Sequence, residues 1–197
     1  MRLRALRLQL KRDPLDSMQM NPDRDRKSRE AFRLSNDLMM DLIAGSQVYA
    51  LFQRGFDQGP NQPPDHLRVA VNRLCLFHAI VTLTKWTELY DRYVDVIPLD
   101  VRDVAKRLRK EIEERGIVEF RNKVVGHVWD TDEDRALTNS EVEERLSRLT
   151  KSEVRGFLEW VNNTGSEDNA GTAAGVIEAV RECIREVHKL SDADLNT

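Results

Sequence analysis

The sequence predicts an all-α fold, a bundle of about five helices in a single domain. Apolar residues recur at spacings of three and four nearly everywhere, alternating strand-like runs with hairpin turn signals are missing, and proline-rich or polar loops cut the chain into helix-length pieces. A chain of 197 residues with 40% apolar content can build one core, and 33% charged residues with only 6% aromatics fit the solvated faces of amphipathic helices. Nine Gly and six Pro exclude collagen-like and low-complexity chains.

Residues 1–24 read as a basic N-terminal extension. Four Arg and a Lys fall between Arg2 and Arg12 with no apolar h-region, so this is not a secretory signal; a flexible arm or an extension upstream of Met18 or Met20 fits best, beside a transit peptide or a nucleic-acid arm. The helical domain spans 25–190, and 191–197 form a C-terminal tail. A first helix is expected from Arg26 to Phe56, with Phe32, Met39, Leu42 and Ser46 on its inner face. Pro60, Pro63 and Pro64 stop it by removing donors and biasing their predecessors away from the helical region.

Asp65 is the expected N-cap of a second helix reaching Val94. It carries two apolar stripes, Leu67/Val71/Leu74/His78/Val81 and Val69/Leu76/Ile80/Leu83/Tyr90, which suits the centre of a bundle. The run Leu74–Leu83 is about half of the roughly 20 residues a membrane span needs, so it reads as core and no membrane partner is expected. Asp100 is the expected cap of a third helix buried through Val104, Leu108 and Ile112. Gly116 predicts a break, after which Ile117, Phe120, Val124 and Val128 resume helical spacing in a changed phase. Thr150-Lys151-Ser152-Glu153 has the form of a capping box before Val154, Phe157 and Val161. After a polar loop from Asn162 to Gly171, Ala173, Ile177, Val180 and Ile184 mark a last helix.

Several chemistries are absent. No Gly-rich phosphate loop occurs, and no H-E-x-x-H or paired-Cys motif supplies a zinc site. A di-iron bundle needs Glu-x-x-His pairs, whereas Pro63, Cys75, Val124 and Arg185 stand three positions before the four His. No metal and no cofactor is expected. Cys75 and Cys183, both in apolar helical patterns, read as reduced thiols of a cytoplasmic protein.

One constellation remains: Phe120-Arg121-Asn122-Lys123-Val124-Val125-Gly126-His127-Val128-Trp129-Asp130. Arg offers a fixed fork of donors to a phosphate, and His can move a proton near neutral pH without a metal. On an ideal helix six residues place Arg121 and His127 about 120° apart, a separation Gly126 could loosen. Lys123, four residues before His127, lies on its face as a second phosphate contact. Asp130 fits either a carboxylate orienting the His127 ring or the start of a solvated acidic loop. His127 itself, beside the Phe120/Val124/Val128 stripe, fits either a functional imidazole or a core histidine bonded to a carbonyl. His78 reads as a satisfied core group, and His66 and His188 as surface residues; Trp86, Trp129 and Trp160 read as packing.

Arg121-Asn122 followed by His127 resembles the R-x(4–6)-H motif of the HEPN superfamily, and the surrounding segment, behind a long helix ending Trp86-Thr87-Glu88-Leu89-Tyr90-Asp91, is most similar to the abortive-infection AbiU-type branch. The resemblance covers about residues 25–190. It implies a helical bundle and a metal-independent endoribonuclease acting as a toxin or in phage defence, with catalytic Arg121, His127 and Asn122, phosphate contacts from Arg121 and Lys123, RNA as partner, a homodimer with the motif at its interface, and an antitoxin protein as a further partner. Trp129 stands where the branch regulated by a nucleotidyltransferase carries Tyr, so modification of that Tyr is not expected. A non-catalytic helical module binding nucleotide, RNA or protein is the alternative. The net charge of −3 gives no global attraction for phosphates, but Arg102–Lys123 holds eight basic and five acidic residues and leads into the motif.

Overall fold

The computed structural model describes residues 21–58, 64–125, 129–130, 134–151, 153–166 and 169–196. Two helices set the frame. Helix α1 spans Pro22–Gln58 and α2 spans Asp65–Tyr93, and they pack as an antiparallel pair. Their inner faces interlock through small residues. Ser28 and Ser46 on α1 lie buried with hydroxyls donating to the Arg24 and Leu42 carbonyls one turn back, both at 2.8 Å, and Thr84 on α2 does the same to Ile80. Satisfying each hydroxyl within its own helix leaves the contact between helices apolar. Trp86, Ile80 and Leu83 are fully buried on α2, against Phe32 and Leu42 of α1 in the same core.

The order then runs α3 (Leu99–Glu114), α4 (Ile117–Phe120), a π-helical turn (Arg121–Val125), a two-residue hairpin of β1 (Trp129–Asp130) and β2 (Arg135–Ala136), α5 (Asn139–Thr150), α6 (Val154–Val161), α7 (Ala173–His188) and a 3₁₀ turn (Asp192–Asn196). Helix α7 lies on α1 and α3 and buries Ile177, Val180 and Ile184 completely. The protein is all-α and one domain, with seven α-helices among the described residues rather than about five. The surplus comes from Gly116, which divides what would be one helix, and from α5, which the acidic sequence did not announce. In the hairpin Trp129 pairs with Ala136 and Asp130 with Arg135. The 3₁₀ turn is tied to α1 by Arg29, whose Nη1 donates to Asp194 at 2.7 Å.

Four local expectations change. Asp65 and Asp100 are not caps: each lies inside its helix, behind Pro64 and Pro98, whose fixed φ already suits a helix entrance. The capping box sits at Thr138-Asn139-Ser140-Glu141, where Glu141 N–H donates to Thr138 Oγ1 at 3.3 Å and Glu141 accepts from Thr138 N–H at 2.7 Å. Thr150 instead ends α5 and donates its hydroxyl to Leu146 at 2.9 Å. Helix α2 is central only at its C-terminal end: the twelve buried residues run from Cys75 to Tyr93, while Leu67, Val69 and Leu74 are exposed. By length and composition alone α2 could cross a membrane, a test that the core helix of a soluble bundle also passes. His78, read as a core group, is exposed; its Nε2 donates to the Asp41 carbonyl at 3.1 Å and its ring packs on Gly45. His66 is exposed and His188 half-buried, while Trp86 packs as expected and Trp160 lies under the Arg115 guanidinium, 4.1 Å from its centroid.

The loop between α6 and α7 is held by backbone proximity. Thr172 caps α7 by accepting from Gly175 N–H at 3.1 Å, and its own hydroxyl donates to the Asn169 carbonyl at 2.8 Å. A Cβ on Gly175 would stand 1.9 Å from that carbonyl oxygen. Gly175→Ala must therefore push the loop off the helix and destabilise the protein by about 1–3 kcal/mol. Gly171→Ala, with nothing within 4 Å, is the control. Thermal melts compare them; a Gly175→Ala protein melting with the wild type rules this packing out.

The hairpin is clamped to α5 by charge. Arg135 donates to both Glu141 oxygens at 2.6 and 3.0 Å, and these bonds, then those from Thr138, hold the Glu141 carboxyl far below its usual 4.5. A depressed carboxylate contributes stability above its unfolded pKa and loses it as pH falls below that value. Wild type is therefore expected to exceed Glu141→Gln in melting temperature at neutral pH, with the gap closing below about pH 4.5. A gap independent of pH would show that the charge plays no part.

Candidate functional site

The motif region is built by one broken helix. Helix α3 ends through Arg115, and Gly116 takes φ +70°, a left-handed conformation that a Cβ disfavours. The chain restarts at once: Ile117 and Phe120 are buried, and Phe120 meets Phe77 of α2 edge-on with centroids 6.1 Å apart. Four residues of α-helix then give way to the π-helical turn, whose hydrogen bonds reach five residues back instead of four. Of the expected stripe Phe120, Val124 and Val128, Phe120 is buried and Val124, within the π-helical turn, is half-buried against the core; Val128 lies outside the described residues. The expected angle between Arg121 and His127 falls on a residue outside the described ones.

Arg121 and Asn122 are exposed at the start of this turn, and Arg121 Nη1 donates to Asn122 Oδ1 at 2.9 Å. The pair was expected to work together, and it is in contact. Lys123 is half-buried with Nζ 4.0 Å from Glu119, which Arg145 also approaches at 3.9 Å. Lys123 is thus shared with a carboxylate rather than given wholly to a phosphate. His127 lies outside the described residues, as does Gly126; Asp130 is placed by backbone only, paired with Arg135 in the hairpin.

The basic stretch looks different in three dimensions. Arg109 donates to Asp91 at 2.7 Å and to Glu113 at 3.0 Å, Lys110 meets Glu114 at 3.1 Å, and Arg115, 9% exposed, meets Glu111 at 2.7 Å. Arg102 bonds the Ile97 carbonyl. Arg121 stands out because, among the described residues, no carboxylate neutralises it; Lys106 and Arg107, exposed on α3, are alike in this. A guanidinium held by a neutral amide keeps its full charge for a phosphate oxygen.

Thiol chemistry has little footing. Burial pushes the Cys75 and Cys183 thiols up, away from the reactive thiolate, and nearby Glu186 adds to this at Cys183. Among the described residues no group of three His, Cys, Asp or Glu is placed to hold a metal ion. Two adjoining cavities, of about 390 and 500 Å³, run along α1, α6 and the loop after α6, and none of Arg121, Asn122 or Lys123 lines them. In the sequence Ser46 belongs to the inner face of the first helix and Asn162–Gly171 to a polar loop, and a groove between such distant segments leaves no local pattern.

No family model matches the chain, and no curated protein is similar to it. Among solved structures, one described as an integron cassette protein, Vpc_cass2, from the mobile metagenome of V. paracholerae is similar with a TM-score of 0.64 and 25% identity, over 81% of this chain and 96% of that one. The two chains share their fold across nearly the whole of the neighbour.

Proposed function

We propose that this chain is a metal-independent endoribonuclease of the HEPN type, acting in a toxin or phage-defence setting in the cytoplasm. One observation carries the reading: Arg121 is an exposed guanidinium, free of any carboxylate among the described residues and steadied by Asn122, at the start of a π-helical turn. Such turns are frequent at functional sites. Arg121 binds the scissile phosphate and stabilises the charge that builds on it, and Asn122 fixes the plane of the guanidinium. His127 takes the proton from the 2′-hydroxyl as that oxygen attacks phosphorus, or gives one to the departing 5′-oxygen. The products are a 2′,3′-cyclic phosphate and a 5′-hydroxyl, with no redox or metal step. Lys123 assists at the phosphate and Asp130 orients His127. A homodimer that faces two motifs toward each other completes the site, and an antitoxin protein covers it. The similarity to a protein from a mobile metagenome favours testing the toxin setting first.

The alternative is a non-catalytic module binding nucleotide, RNA or a protein, and it is favoured by the two cavities lying apart from Arg121. Purified protein incubated with total RNA in EDTA separates the readings. The expected result is cleavage leaving 5′-hydroxyl ends, slowed about 100-fold or more in Arg121→Ala and in His127→Ala. Cleavage that survives both substitutions, or that stops when metal is removed, rejects this mechanism; absent cleavage with a His127→Ala protein that melts earlier supports the module.

A further inference from the structure

The two cavities share Ala50, Arg54, Asn162, Asn163 and Thr164 and form one groove between α1, α6 and residues 162–166 and 169. Its polar side chains divide into two sets. One set is spent on structure: Asn163 accepts from Gly165 N–H at 3.1 Å, Asn169 accepts from Asn163 N–H at 3.1 Å, and Gln53 donates to Asn72 at 2.7 Å. These bonds fix the loop and the wall.

The other set is uncommitted. Asn162 is 5% exposed and lines both cavities, yet its side-chain amide has no hydrogen-bond partner among the described residues. Its backbone N–H is already used, donating to Leu158 at 2.9 Å, so the residue is locked in place with two donors and an acceptor facing the groove. The amide atoms are open to the groove rather than sealed in the core, so a ligand lying there can pair with them. Arg54, on the opposite wall, spends only Nε, on the Ala50 carbonyl at 3.3 Å, and no carboxylate meets its Nη groups among the described residues. Arg155 differs, since Glu159 holds it at 2.9 Å. A volume of about 390 Å³ is far more than one anion or one water fills, and falls in the range of small organic ligands.

We infer that this groove binds a small organic oxyanion, with Arg54 holding its carboxylate or phosphate and Asn162 pairing with an amide-like donor–acceptor edge beside it. The site is separate from Arg121 and stands whether or not the chain cleaves RNA.

Calorimetric titration of the full chain tests this with three probes. N-acetylglycine offers a carboxylate beside an amide, uridine 5′-monophosphate a phosphate with a base edge, and inorganic phosphate the charge without an edge. Either organic probe is expected to bind at least about tenfold tighter than phosphate, and which one does so names the source of the oxyanion. Arg54→Gln, at an exposed position, and Asn162→Asp, which sets a negative charge against the ligand, should each weaken that binding about tenfold or more. The inference is overturned if none of the three gives heat up to millimolar concentration, if phosphate binds as tightly as the organic probes, or if Arg54→Gln binds them unchanged. Because Arg54 is exposed, its substitution keeps the test decisive even where Asn162→Asp fails to fold.

Discussion

The structure depends on the desolvation of the C-terminal part of α2 against α1. Ile80, Leu83 and Trp86 reach complete burial there, each of a kind that contributes about 1.5–3 kcal/mol when removed from water. Everything else is placed on that seam. Helix α7 covers α1 and α3, and α4 leans on α2 through Phe120 and Phe77. Serine and threonine at the contact permit close approach because their hydroxyls bond backward along their own helices. Ser35 Oγ and the Trp86 indole N–H are exceptions, buried without a partner among the described residues, each at a cost of about 1–3 kcal/mol, which at Trp86 is accepted for a large apolar surface at the centre.

The same seam explains why α2 misled a reading from pattern alone. Two stripes suggested burial on most sides, but burial on α2, against α1, α3, α4 and α6, begins only at Cys75. Leu67, Val69 and Leu74 belong to a helix that extends past its neighbours, and periodicity carries no information about where neighbours stop. The helix ends were more legible, because proline acts locally: α1 stops before the Pro60–Pro64 segment and α2 starts behind Pro64. Capping was legible in kind but not in place. Thr138 and Thr150 both begin a T-x-x-E tetrad, and only the backbone distinguishes them: Thr138 is extended and bonded to Glu141, while Thr150 is helical and bonded to Leu146.

At the candidate site the break at Gly116 could be read from the residue, since glycine is the residue that tolerates φ +70° without strain. The π-helical turn could not. A hydrogen bond reaching one residue further leaves no mark on composition, yet it resets the phase of every later residue. The charge of the region was also only half legible. Counting along Arg102–Lys123 gave an excess of bases, but Arg109 is neutralised from α2 by Asp91, which lies outside that stretch, and Arg145 of α5 competes with Lys123 for Glu119. The surplus charge therefore falls on Arg102, Lys106, Arg107 and Arg121, which no carboxylate meets among the described residues.

That concentration bears on how such a site can act. An exposed guanidinium 4 Å from a phosphate charge in water contributes about 1 kcal/mol, whereas a donor aimed at a developing oxyanion in a dry site contributes about 2.7–4 kcal/mol. Arg121 on the surface of one protomer meets only the first condition. For the proposed chemistry the missing factor is exclusion of water, and among the described residues nothing covers Arg121: Asn122, its hydrogen-bond partner, is also exposed. The cover must come from the RNA strand or from a second copy of the chain. A facing copy supplies both terms together, since it removes water and brings a second Arg121 to the same phosphate. Under the proposed mechanism, cover by the RNA strand or by a facing copy is therefore a condition of catalysis, and an uncovered Arg121 retains phosphate affinity without rate.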